Sequence, residues 1–132
     1  MYSIVRNEQH SKHLFYNIKK YTYFYGTKTM SEHNELGKKG EQLAKEHLMA
    51  KGYSIIDLNF RAGKAEVDII AKIGDTYVFA EVKTRTSEHY GLPESFVSNK
   101  KQKLFAQAAE AFCEINNHTD IEIRYDILSV II

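Results

Sequence analysis

From Ser31 to Lys51, the apolar residues Leu36, Leu43, Ala44, Leu48 and Met49 recur at the spacing of one helix face. Ser31 or Asn34 is suited to cap the start of this helix and Gly52 stands just past its end. Within it, Gly37 and Gly40 leave room for another element to come close. Three runs rich in β-branched and aromatic residues follow, Tyr53 to Phe60, Ala65 to Ile73 and Thr76 to Arg85, separated by Gly63 and by Gly74-Asp75. These predict three strands. After a polar stretch holding Gly91 and the single proline, Pro93, a second helix is predicted over 99–116, with Leu104, Ala108, Ala111, Phe112 and Ile115 as its apolar face. The last run, Ile121 to Ile131, becomes apolar on both faces, the pattern of a strand covered on both sides. The order is α-β-β-β-α-β: an α/β fold in which a mixed four-stranded sheet is flanked by helices.

The tight Gly74-Asp75 connection sets the register of the middle hairpin, because a two-residue loop leaves only one way to pair the arms. In that register Asp68 faces Glu81 and Glu66 faces Lys83. Val67, Ile69, Ala71, Val78, Ala80 and Val82 then share a core face, and Glu66, Asp68, Glu81, Lys83 and Arg85 share the other. The plain alternative is a solvated face with Glu66 and Lys83 as an ordinary cross-strand pair. Against it, directly opposed carboxylates repel at their roughly 5 Å separation, whereas a hard divalent cation is commonly held by one or two carboxylates. Lys83, two residues beyond Glu81 on the same face, is placed to handle a water or an attacking oxygen. Glu41 falls on the buried stripe of the first helix, where a carboxylate needs a partner. It either reaches water at the edge of the stripe or joins a metal site.

Composition narrows the field. With 132 residues, 43% of them apolar and 27% charged, the chain fits one globular domain. Cys113 is its only cysteine, so the chain has neither an internal disulfide nor a CxxC knuckle, consistent with a reducing, cytoplasmic setting. No apolar run approaches the ~20 residues that span a bilayer, and no membrane partner is expected. The net charge of +1 is unevenly spread. Residues 1–29 hold Arg6, Lys12, Lys19, Lys20 and Lys28 against Glu8, leaving 13 basic and 16 acidic residues in 30–132. A nucleic-acid surface on the main body must therefore be a local patch. The first 29 residues also carry five of the nine tyrosines and no clear period. They read as a basic-aromatic N-terminal extension, either a disordered arm able to stack bases and contact phosphate or a start-site artefact with translation beginning at Met30, ahead of a domain over 30–132.

Asp68, then Glu81-Val82-Lys83 after a strand turn, with Glu41 on a preceding helix, resembles the PD-(D/E)xK nuclease superfamily and its restriction-endonuclease-like fold. Val67 stands where the proline of that name would be. More closely, Gly40-Glu41 through Gly52-Tyr53, Asn59-Phe60-Arg61, the run 65–70, the run 79–85, Tyr90-Gly91, Lys100-Lys101 and Arg124-Tyr125-Asp126 resemble the small bacterial YraN family, grouped with Holliday-junction-resolvase-like proteins. The similarity covers about residues 34–132. It implies metal-dependent hydrolysis of phosphodiester bonds in DNA, including branched or flap DNA. Asp68, Glu81 and the backbone carbonyl of Val82 would hold Mg²⁺ (or Mn²⁺), Glu41 would assist from the helix, and Lys83 would position the water.

The basic residues supply the expected DNA contacts. Lys100, Lys101 and Lys103 crowd the start of the second helix, where phosphate would relieve their clash with the helix dipole; the alternative is a helix that begins later, with solvated lysines. Arg61 and Arg85, at the ends of the strands bearing the site, are the next candidates. His47, His89 and His118 have no ligand spacing and are expected at the surface, while Cys113 is expected to pack. The competing function is a non-catalytic module of the same fold that binds DNA or a repair or uptake partner. A homodimer remains open as well.

Overall fold

The computed structural model describes residues 2–4, 8–11, 14–25, 33–85 and 98–132, with side chains over 35–84 and 98–132. The chain runs β1 (Tyr2–Ile4), β2 (Glu8–Ser11), β3 (Leu14–Tyr25), α1 (His33–Ala50), β4 (Ser54–Ala62), β5 (Ala65–Ile73), β6 (Thr76–Arg85), α2 (Asn99–Ile115) and β7 (Ile121–Ile131). The expected α-β-β-β-α-β unit is therefore α1 through β7. Its four strands lie in the order β7-β6-β5-β4, antiparallel except for the parallel β6–β7 pair. Three further strands, β1, β2 and β3, precede it, of which β3 runs parallel to β7. No helix among the described residues is long and apolar enough to cross a membrane.

The end of α1 shows why it stops where the glycine predicts. Gly52 takes a φ of +90°, open to glycine at no steric cost. That turn lets the Gly52 and Tyr53 amides donate back to the carbonyls of Met49 and Leu48 at 3.0 Å each. The 5–6 hairpin closes through Gly74 with a φ of +57° at the first loop position, as a type II′ turn requires. At the start of α2, the Ser98 hydroxyl accepts from the Lys101 amide. The helix thus begins early enough to place Lys100, Lys101 and Lys103 in or beside its first turn.

The sheet is covered on both faces, which corrects the expectation of one core face and one polar face along the hairpin. On one side α2 sets Phe105, Ala108, Ala109 and Phe112 against Val67, Ile70, Tyr77, Phe79 and Ile123. On the other, α1 sets Ala44 and Leu48 against Ile69, Ala71, Val78, Ala80 and Val130. Val67 thus lies on the opposite face from Ile69, although strict alternation would put them together. The same slip occurs next door, where Leu58 pairs with Ile69 and Phe60 with Val67, so that Asn59, with a φ of +53°, stands across from Asp68. Of the two glycines in α1, only Gly40 makes a close approach: a Cβ there would lie 1.8 Å from the Thr84 hydroxyl, whereas Gly37 has nothing within 4 Å.

Candidate active site

Asp68 sits at that slip, where β5 and β6 part. The ladder follows the predicted register from Ile73–Thr76 to Ile69–Ala80 and ends there. One step further, in place of a backbone partner, the Val82 amide donates to Asp68 Oδ2 at 2.8 Å. The expected face-to-face pairing of Asp68 with Glu81 is thus replaced by a side chain inserted between the strands. Glu66 likewise does not pair with Lys83; it meets Arg61 across β4 at 3.1 Å. Both members of that pair are largely exposed, and such contacts stabilise little.

Two clefts meet at Asp68. The one beneath α2, about 210 Å³, is lined by Lys64, Glu66, Val67, Asp68, Glu81, Lys101, Leu104, Phe105 and Tyr125. The one beneath α1, about 130 Å³, is lined by Lys38, Glu41, Gln42, Lys45, Leu58, Asn59, Asp68 and Ile69. Asp68 is consequently brought into electrostatic range of Glu41 on α1 and of Glu81 on β6. Burial, followed by repulsion from Asp68 and Glu66, raises the Glu41 pKa. Burial also raises that of Asp68, aided by Glu81 and Glu66 and opposed by the Val82 amide and Lys83. A carboxylate that resists ionisation because it is buried, with anionic neighbours adding to the effect, is one that a cation would relieve.

Glu81 differs. Burial pushes its pKa up, but the Tyr125 hydroxyl, Lys101 and Lys83 outweigh burial and hold it below the ordinary value of 4.5. Lys101 Nζ lies 2.9 and 3.0 Å from the two Glu81 oxygens, the Tyr125 hydroxyl donates to Oε2, and Lys83 Nζ is 3.5 Å from Oε1. Of the three lysines at the start of α2, then, only Lys101 turns into the site, while Lys100 and Lys103 stay exposed. The Arg85 side chain lies outside the described residues. Among the described residues, no group of three or more His, Cys, Asp and Glu side chains forms a ready metal cage. The donor chemistry nevertheless suits Mg²⁺, which is commonly held by one or two carboxylates with water and substrate phosphate completing its shell. Asp68 and Glu81 are the carboxylates that would hold it, Glu81 in exchange for its contact with Lys101, with Glu41 on the opposite side of Asp68.

Tyr125 enters the sequence reading only within the Arg124-Tyr125-Asp126 resemblance and without a role, because an inward tyrosine on an apolar strand carries no spacing signal. Neighbouring Arg124 and Asp126 did carry one, opposite charges two apart on a covered strand. They pair at 2.8 Å, with Asp126 buried and the Arg124 side chain 23% exposed, and Arg124 also donates to the Tyr53 hydroxyl at 2.7 Å. His118 is not a free surface histidine: its Nε2 lies 3.0 Å from the Tyr77 hydroxyl. Cys113 is buried as expected.

Comparison with known proteins places the chain in a family. Residues 40–130 match "Uncharacterised protein family UPF0102". A UPF0102 protein of Christiangramia forsetii is 50% identical over 102 residues, covering 77% of this chain and 85% of the relative. One from Flavobacterium psychrophilum is 48% identical over 101 residues, 76% and 84%. A third, from Geobacter metallireducens, is 44% identical over 102 residues, again 76% and 84%. The match spans α1 to β7 and includes Glu41, Asp68, Glu81 and Lys83, and on this ground the chain belongs to the UPF0102 (YraN) family.

Proposed function

We propose that the protein is a metal-dependent nuclease that hydrolyses phosphodiester bonds in DNA, with branched or flap DNA among its substrates, acting in the cytoplasm. The observation that carries this reading is the position of Asp68, inserted between β5 and β6 where both clefts open, with Glu41 in one cleft and Glu81 in the other, Lys83 lying 3.5 Å from Glu81. Mg²⁺ or Mn²⁺ would be held by Asp68, Glu81 and the Val82 carbonyl, with Glu41 assisting, and when bound supplies charge neutralisation at the phosphate. The protein's own groups do the rest. The Val82 amide fixes the Asp68 carboxylate, and Tyr125 orients Glu81. Lys83 offers an ammonium to the attacking oxygen, while Lys100, Lys103, Arg61 and Arg85 receive flanking phosphates.

A second reading, a DNA- or partner-binding module without turnover, is favoured by one feature: Glu81 is already engaged by Lys101 and Tyr125. A panel of labelled linear, nicked, flap and four-way DNAs incubated with Mg²⁺ or Mn²⁺ separates the two. Cleavage by wild type that Asp68→Ala loses supports the nuclease; DNA binding without cleavage of any substrate supports the module.

A further inference from the structure

Lys101 occupies an unusual place for a phosphate-binding lysine. Its ammonium rests against both oxygens of Glu81, at 2.9 and 3.0 Å, so one cation already sits on a carboxylate assigned to hold another. Its backbone lies in the first turn of α2, where the helix dipole disfavours positive charge. Glu81, which it contacts on both oxygens, offsets that penalty. The side chain remains about a third exposed, on a flexible stem at the mouth of the α2 cleft. That cleft counts Glu66, Asp68 and Glu81 against Lys64 and Lys101. Its lining is net negative by one charge, a poor surface for phosphate, and a divalent cation would make it net positive by one.

Resting on the nuclease reading, we propose that Lys101 is an exchangeable counter-ion. It neutralises Glu81 in the metal-free protein, yields Glu81 when a divalent cation enters, and then turns its ammonium to the phosphate of the bound strand. Metal and DNA binding are thereby coupled: each makes room for the other. Tyr125, a neutral donor on Oε2, stays in place and keeps Glu81 oriented throughout.

The exchange predicts opposite effects of one substitution on two ligands. Lys101→Met keeps the apolar stem and removes the charge. By calorimetry on the full chain without DNA, where no turnover occurs, K101M should bind Ca²⁺ about two- to fivefold more tightly than wild type, the range expected for losing a part-exposed competing ion pair. By fluorescence anisotropy, Ca²⁺ should strengthen binding of a labelled duplex by wild type more than by K101M. Lys101→Gln should repeat both results, which guards against a folding defect peculiar to methionine. Equal or weaker Ca²⁺ binding by both variants, with wild type binding normally, would overturn the counter-ion role and leave the nuclease reading standing. Absence of Ca²⁺ binding in wild type and variants alike would overturn both.

Discussion

Adding a single methyl group to Gly40 tests how the site is assembled, because Gly40 lets α1 lie against β6 and seats the adjacent Glu41 beside Asp68. An alanine Cβ there would meet Thr84 Oγ1 at 1.8 Å and both Cβ and Cγ2 at 2.8 Å. Rotating Thr84 can remove the hydroxyl but not its Cβ, so the helix must retreat by about 0.6 Å to reach the 3.4 Å at which contacts become ordinary. Overpacking of this kind costs about 1–3 kcal/mol, offset by the roughly 0.5–1 kcal/mol that alanine gains over glycine inside a helix. Gly37→Ala, three residues earlier with nothing within 4 Å, receives only the gain. Urea unfolding should therefore place G40A below wild type by up to about 2.5 kcal/mol and G37A above it by about 0.5–1 kcal/mol. If G40A were as stable as G37A, α1 would not be held against β6 through this contact, and the seating of Glu41 would need another explanation.

Other predictions concern charge. Because Asp68 has a raised pKa in the folded state, the native form binds more protons than the unfolded one, so this group costs stability as pH rises through its folded pKa. Asp68→Asn, which keeps an acceptor for the Val82 amide, should raise the metal-free melting temperature at pH 7, with the advantage vanishing below pH 3.8; a lower melting temperature at pH 7 would contradict the sign. For Glu81 the sign reverses. Its lowered pKa contributes stability present above 4.5 and lost as pH falls through the folded value, so Glu81→Gln should lower the melting temperature at pH 7 and narrow the gap in acid. Asp126→Ala would leave the part-buried Arg124 charge without its carboxylate and should cost about 1–3 kcal/mol in urea unfolding; no measurable cost would contradict this role of the pair.

Local chemistry made most of the core legible in advance. Strands β5, β6 and β7 follow the predicted bounds because their β-branched runs are set off by turn residues, Gly63 and Gly74 around β5 and Asn117 and Asp120 before β7, and the hairpin register holds wherever backbone pairs with backbone. The reading failed at residue 68, where period-2 alternation assumes an unbroken ladder. Asp68 ends that ladder by taking the Val82 amide, and Asn59 bends opposite it, so faces assigned by parity were wrong for Val67. The polarity of the hairpin was also overread: Ile70, Tyr77 and Phe79 show that α2 covers the second face, and only the ends of the strands remain polar. Lys101 and Tyr125 could not be paired with Glu81 from sequence, since their meeting depends on how α2 and β7 cross that end of the sheet.

The most direct test of the central claim is cleavage by Lys83→Ala, purified in parallel with wild type and incubated with labelled DNA in Mg²⁺ or Mn²⁺. Lys83 stands at the exposed end of β6, 3.5 Å from Glu81, and its removal should leave the fold unchanged by circular dichroism. The account predicts metal-dependent cleavage by wild type and a loss of about 10²-fold or more in the variant, the scale of a positioned proton-handling group. Cleavage by Lys83→Ala at the wild-type rate would contradict it.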